Sequence, residues 1–364
     1  MPRAGRCARI GELRIALDAT CSIGGHLSGV GVYSRELLHG LARLEPGVEW
    51  IWLYRPQHWR QILFGVSPPR IRRGFLWERR APDCDLFHGL GQRLPASFDS
   101  LPRRIRTAVT FHDLFVMTRE YSSPEFRARF TAQAREAARR ADAIIAVSRF
   151  TAGQVEELLG VEPARIHVVH HGVRPLELPA GVAREPMILS VGALQTRKNT
   201  LALVRAFERL PRGWRLVLAG SKGYGYEATI APAIEASPRR ADIELPGWID
   251  DAALARLYAR ASVFAFPSLD EGFGIPVLEA MAAGIPVLAS NASSLPEVCG
   301  DAAVLVAPRS EEEIAAGLAR LIDQESLRTQ LIERGRDRAG EFTWEKCARE
   351  TWEVFSSLQS RPRS

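Results

Sequence analysis

Short apolar runs alternate with longer amphipathic stretches along nearly the whole chain, in two series separated by a proline- and glycine-rich break. In the first series, residues 13–18, 49–54, 85–88, 107–111, 142–147 and 166–172 read as strands. Helical patterns over 32–44, 124–141 and 149–159 fall among them. Continuously apolar strands interleaved with helices need both sheet faces covered, so the pattern predicts a parallel sheet between helical layers. Residues 174–186, with Pro175, Pro179, Gly181 and Pro186, break the periodicity and read as a linker. Strands at 187–192, 214–219, 243–245, 263–266, 286–290 and 303–306 then make a second series, with a helix over 199–210. Three closing helical stretches, 311–323, 326–338 and 344–358, have no strand after them. A chain of 364 residues is long for a single core. The expected fold is therefore α/β, with two doubly wound, Rossmann-like domains facing a cleft. The first covers 1–178 and the second 186–343, with a terminal helix at about 344–360 packing back on the first.

Composition narrows the function classes. The five cysteines, Cys7, Cys21, Cys84, Cys299 and Cys347, lie far apart with no Cys-x-x-Cys, which indicates neither a zinc site nor a disulfide framework and fits a reducing cytoplasm. No apolar run reaches the roughly 18 residues of a membrane span, and the arginine-rich first twelve residues lack a signal-type apolar core. A cytoplasmic protein is expected. Residues 1–175 hold 26 arginines and 17 acidic residues, a net +9, whereas residues 176–364 hold 22 basic and 25 acidic residues, a net −3. The basic half could make peripheral contact with anionic headgroups at the inner face of the membrane, or be a solvated surface. Nucleic acid is not an expected partner, because the arginines are not interleaved with an aromatic platform and the second half is acidic. The chain has only three lysines, Lys198, Lys222 and Lys346.

One stretch, Asp270-Glu271-Gly272-Phe273-Gly274-Ile275-Pro276-Val277-Leu278-Glu279, carries the strongest chemistry. Pro276 suits a first helical turn, so Glu271 falls in the loop before a helix and Glu279 about one turn inside it. Gly272 and Gly274 let the backbone approach a ligand, and the helix N-terminus favours an anion. Carboxylates beside such a phosphate-friendly end can accept hydrogen bonds from sugar or ribose hydroxyls, which fits a nucleotide-sugar. The same spacing also fits an acidic, capped surface helix. In the first half, Gly29-Val30-Gly31 follows a strand but is one residue short of the dinucleotide fingerprint, and Arg55 stands where a ribose-binding acid would be wanted. That disfavours a nicotinamide or flavin cofactor. His88 and His112 follow strands, and Asp113 could orient the His112 imidazole, though a lone histidine is as readily structural. His170-His171 lacks metal-ligand spacing. Asp83-Cys84-Asp85 has the look of a two-aspartate metal motif but opens a strand in the half away from the Glu271–Glu279 stretch.

At Glu271 to Glu279 the chain resembles the retaining family-4 glycosyltransferases of the GT-B fold, whose hallmark is Glu, seven residues, Glu after a strand of the second domain. Phe266-Pro267-Ser268, Gly284-Ile285-Pro286-Val287 and Ser294-Leu295-Pro296-Glu297-Val298 fit the same family, as do Gly25 to Tyr33, Phe111-His112-Asp113 and Val147 to Thr151. Val191-Gly192-Ala193-Leu194-Gln195-Thr196-Arg197-Lys198-Asn199 looks like its donor-phosphate loop. Many members carry arginine directly after that glycine; here it is Ala193, and Arg197 could replace the charge.

The resemblance implies a nucleotide-sugar donor bound by Gly192, Arg197, Lys198, Gly272, Phe273, Gly274 and Glu279. Glu279 would hold the ribose and Glu271 the transferred sugar. His112 would contact the donor sugar, or support developing positive charge through its carbonyl. The first domain would take the acceptor and the second the nucleotide-sugar, and Gly29 and Gly31 would bring N–H groups near phosphate or acceptor. No metal and no separate cofactor is implied. Phe111 to Phe130 looks most like mannosyl- and rhamnosyl-transferring members, so mannose from GDP-mannose is the expected donor, and the acceptor a saccharide or lipid-linked saccharide. The alternative is a catalytically silent nucleotide-sugar-binding scaffold of a polysaccharide assembly complex.

Overall fold

The computed structural model describes residues 13–24, 27–60, 71–96, 105–118, 121–173 and 177–360. They fall into two compact units, one drawn from residues 1–117, 125–172 and 344–364 and the other from 118–124 and 173–343. Part of the expected glycine loop, at Gly25, and of the expected linker, at residues 174–176, lies outside the described residues.

The first unit is a parallel sheet of β1 (Arg14–Asp18), β2 (Glu49–Tyr54), β3 (Ile71–Phe75), β4 (Leu86–Gly89), β5 (Arg106–Phe111), β6 (Ala143–Ala146) and β7 (Ile166–Val168), in the order β3-β2-β1-β4-β5-β6-β7. Ile15, Ala16 and Leu17 are all fully buried, as a strand covered on both faces requires. On one face α1 (Gly29–Leu44) and the terminal helix (Trp344–Ser360) bury Leu37, Leu41, Trp50, Ala348 and Phe355 in one core. Gly40 permits that contact, since a Cβ there would meet Ala348 Cβ at 3.0 Å. The other face packs Val109, Phe111 and Ile144 against Ala134, Ala137 and Val155 of the two helices Pro124–Arg140 and Arg149–Leu159. Ser148 caps the second of these by accepting from Thr151 N at 3.0 Å.

Three details differ from the sequence reading. β3 was not foreseen: it is Ile-Arg-Arg-Gly-Phe, at the sheet's edge among the described residues, with every residue exposed or half-buried, and so carries no apolar run. Strand β7 stops at Val168, leaving His170 and His171 beyond it. Helix α1 begins at Gly29 rather than Val32, because Ser28 caps it by accepting from Gly31 N at 3.3 Å. Gly29 and Gly31 are therefore first-turn residues. Gly31 is also a packing glycine, because a Cβ there would lie 2.8 Å from the Cys21 carbonyl oxygen.

The second unit is a parallel sheet of β8 (Glu185–Val191), β9 (Arg215–Ala219), β10 (Ile243–Gly247), β11 (Ala261–Phe266), β12 (Val287–Ser290) and β13 (Ala303–Val306), ordered β10-β9-β8-β11-β12-β13. Val263, Ala265 and Leu288 pack with Leu203, Phe207, Ile314 and Leu318 in its core. Arg239 is almost fully buried and donates to the carbonyls of Phe207, Leu210 and Trp214 at 2.7–3.1 Å, satisfying acceptors at and beyond the end of helix Thr200–Glu208. Both sheets have the doubly wound order, which leaves the loops at their carboxyl edges free to build sites.

Candidate active site

In the second unit, the loop after β11 enters helix Ile275–Ala282 through Gly274, whose φ of +113° is left-handed, with Pro276 in the first turn. A Cβ on Gly274 would lie 2.7 Å from Leu295 Cδ2. Two serines pin this loop. Ser293 Oγ accepts from Glu271 N at 3.0 Å, and Ser294 Oγ lies 2.9 Å from both the Glu271 and Phe273 carbonyl oxygens, donating its one hydrogen to either. Phe273 is buried, its ring edge-on to Phe342 at 5.7 Å.

Glu271 is buried, and both its oxygens are engaged. Lys198 Nζ donates to Oε1 at 2.6 Å and Arg197 Nη1 to Oε2 at 3.0 Å, while the same Arg197 nitrogen also donates to the Asp270 carbonyl. Burial would push the Glu271 carboxyl up, but the Arg197 and Lys198 charges outweigh it and hold it at about 2. The sequence reading gave the two cations to pyrophosphate and the carboxylate to sugar; the structure joins all three in one ion cluster. Gly192, at φ +140°, supplies left-handed backbone beside Lys198, whose Cε would lie in ordinary contact, 3.5 Å, with a Cβ there. The Lys198 ammonium sits 4.6 Å from the Phe266 ring centroid.

Residues to which the sequence reading gave no role of their own complete the arrangement. Asn199 adopts φ +58° and donates to the Pro267 carbonyl at 3.0 Å, tying the loop after β8 to the loop after β11. Gly220, directly after β9, lets its turn close on the turn after β8, because a Cβ there would be 2.0 Å from the Gly192 carbonyl oxygen. Glu279 is buried, and Tyr258 donates its hydroxyl to Glu279 Oε2 at 3.2 Å. Asn199 could have been suspected from its tolerance of left-handed backbone. For Tyr258, on helix Asp251–Arg260, no spacing rule points at Glu279.

In the first unit His112 directly follows β5. Its Nε2 lies 2.8 Å from the Leu90 carbonyl, so Nε2 carries the proton and Nδ1 is left as an acceptor. The Leu90 carbonyl orients the imidazole through this bond. Tyr33 meets His112 edge-on at 4.7 Å and His171 at 4.8 Å, and Thr110 Oγ1 lies 2.8 Å from both Tyr33 Oη and His88 Nε2. Burial lowers His112 to about 4 and His88 to about 3, and drives His171 well below its ordinary value, so all three are neutral at pH 7. Asp83 and Asp85 are both ion-paired to Arg14, and Asp85 also accepts from Arg14 N at 3.1 Å; they fasten the start of β4 to β1. Among the described residues no helix is long and apolar enough to cross a membrane.

Residues 180–338 match the family described as Glycosyl transferases group 1, and residues 27–175 match Glycosyltransferase Family 4. The chain is 32% identical over 276 residues to the O-antigen chain mannosyltransferase B of Escherichia coli, covering 71% of this chain and 72% of that protein. It is 28% identical over 303 residues to the serotype-specific mannosyltransferase WbdA of E. coli, which takes in 76% of this chain but only 37% of that larger protein. Among solved structures, sucrose-phosphate synthase from Thermosynechococcus elongatus superposes with a TM-score of 0.79 at 21% identity, over 95% of this chain and 99% of that one. HepE from Anabaena, in complex with UDP-glucose, gives 0.75 at 17% identity, over 95% and 100%.

Proposed function

The chain belongs to the family-4 glycosyltransferases of the GT-B fold, and from that premise we propose that it transfers mannose, with retention, from GDP-mannose to a saccharide or lipid-linked saccharide in polysaccharide biosynthesis. The observation that carries this reading is the Glu271–Arg197–Lys198 cluster beside the glycine turn at Gly192. A departing nucleoside diphosphate accumulates negative charge, and two preformed cations on a loop next to a helix N-terminus are suited to receive it. That supply of charge makes a divalent metal unnecessary in this reading, and no separate cofactor is required. The choice of mannose rests on the mannosyltransferases among the relatives.

In this mechanism Glu279, held by Tyr258, accepts from the ribose hydroxyls, and Glu271 stays ionised to accept from the transferred sugar. Lys198 and Arg197 face the diphosphate. Gly272, Phe273 and Gly274 place backbone N–H groups at the phosphate end of the helix. Gly29 does the same at the start of α1, where the Gly31 N–H is already given to Ser28. His112, neutral, contacts the sugar through Nδ1 or supports its developing positive charge through its carbonyl. The leaving phosphate takes the acceptor proton, so no strong base is required. Peripheral contact of the basic first half with anionic headgroups belongs to the same reading. A silent scaffold would gain nothing from a buried, ionised cluster of this kind, since burying charge is costly.

The deciding experiment measures thermal stabilisation by GDP, UDP and ADP, each with magnesium and with EDTA, in the wild type and in Glu279→Gln. A ligand at 100 times its Kd adds about 2.7 kcal/mol. GDP should stabilise with or without metal, and Glu279→Gln should weaken the effect. Consumption of only a UDP-sugar from a panel of labelled donors would overturn the donor assignment, and stabilisation only with magnesium would overturn metal independence.

A further inference from the structure

Beyond the ends of β2 and β3, on the carboxyl edge of the first unit's sheet, Arg55, Trp77, Glu78, Arg79, Arg80 and Arg93 line an open concavity of about 640 Å3. Four guanidinium groups there meet one carboxylate. Arg93 pairs with that carboxylate, Glu78, and Arg55 reaches Asp18 at 3.8 Å. Among the described residues, Arg79 and Arg80 are exposed and make no ion pair or side-chain hydrogen bond. Like charges gathered without counter-ions repel one another, and an anionic ligand would relieve that repulsion.

A solvated basic face is the ordinary account of clustered arginines. Two features go beyond it. The cluster lines a hollow, and Trp77 is 48% exposed in its wall, beside the 38% exposed Phe75 at 5.8 Å. An indole left in water next to guanidinium groups offers a stacking face beside a phosphate-binding fork. The hollow also lies at the carboxyl edge that ligands use in open parallel sheets, to one side of the switch point between β1 and β4. With strands about 4.8 Å apart, the end of β2 lies three strands, roughly 14 Å, from the end of β5 where His112 stands. That leaves room for sugar between the two.

We propose that this concavity binds the phosphate-bearing end of the acceptor, a sugar phosphate or diphosphate, with Arg79 and Arg80 on the phosphate oxygens and Trp77 against the attached sugar. The assignment rests on the reading that the first unit handles the acceptor. The phosphate can belong to a soluble sugar phosphate or to a lipid headgroup.

The test uses the full chain and two probes, inorganic pyrophosphate in solution and farnesyl diphosphate held in phosphatidylcholine vesicles, with the double variant R79Q/R80Q compared with the wild type. Both side chains are exposed and partnerless, so the variant should fold and should keep its stabilisation by GDP. Binding of either probe should weaken about tenfold or more in the variant, as loss of a charged hydrogen bond predicts. Tight binding of both probes indicates that phosphate alone suffices, and binding of the vesicle-held probe alone marks a lipid headgroup; each supports the site if R79Q/R80Q removes it. Equal binding to variant and wild type, or no binding of either probe, overturns it. Pyrophosphate binding that depends on Arg79 and Arg80, in a protein that no nucleoside diphosphate stabilises, would leave this site standing while the donor reading fell.

Discussion

Glu271 in the second unit and His112 in the first are both buried acid–base groups in loops that follow a strand, and the pKa of each is lowered, to about 2 and about 4. The consequence is opposite. At neutral pH Glu271 is held charged, because Arg197 and Lys198 overcome the cost of its burial; His112 is held uncharged, because burial prevails over its bond to Leu90. The second unit therefore keeps a paired ion cluster in its loop. Beneath His112, the first unit keeps a neutral aromatic cluster of Tyr33, His88 and His171, which shapes the site by packing. The lesson is that burial alone does not say what a titratable group does; its immediate partners do.

Acid should break this comparison most visibly. Unfolded histidines bind protons below about pH 6.5, whereas folded His88 and His112 would do so only near 3 and 4. Their contribution to stability should thus be flat above pH 6.5 and fall as the pH drops from there toward 4, by up to about 1.4 kcal/mol per pH unit for each histidine. Glu271 has the other window: its contribution is present above about pH 4.5 and is lost only as the pH falls from there toward 2. Urea unfolding followed by tryptophan fluorescence reports mainly the first unit, since only Trp214 and Trp248 lie in the second. Unchanged urea midpoints down to pH 4.5 would show that the histidines are not held neutral.

Charge in the second unit can be tested directly. Lys198→Met should lower the transfer rate by about 10²–10³, the range seen when a preorganised charge-stabilising donor is removed, while leaving the fold intact by circular dichroism. A loss under tenfold would mean that the cluster is structural rather than catalytic. The smallest expected change comes from Tyr258→Phe, which removes one hydrogen bond to Glu279. Nucleoside diphosphate affinity should weaken about fivefold, in line with roughly 1 kcal/mol for such a bond, and titration calorimetry would read it. No change in affinity would detach Tyr258 from ribose recognition.

Much of this was legible beforehand for a physical reason. Strands buried on both faces must be continuously apolar, so a run such as Ala143–Ala146 announces itself. Strand β3 escaped because none of its residues is buried, which leaves no apolar run to read. Helix starts depend on single caps, and Ser28 moved the start of α1 by three residues. In the site, Glu271, Glu279 and Lys198 stood out by residue type and spacing. Their partnership did not, since Lys198 and Glu271 are 73 residues apart and meet only because β8 and β11 are sheet neighbours. Tyr258, Thr110 and Tyr33 share that reason: each acts on a residue brought near by packing, with no local pattern to mark it.

The sequence by itself determined two parallel α/β sheets, the glycine-entered helix with its two glutamates, and the uneven charge of the halves, because periodicity, turn chemistry and residue type are local properties. Only the tertiary structure decided that Glu271 is locked between Arg197 and Lys198, that three histidines are neutral around Tyr33, and that Arg79 and Arg80 border a hollow beside Trp77. Those outcomes depend on burial and on distances between chain-distant groups, and electrostatic energy is set by both.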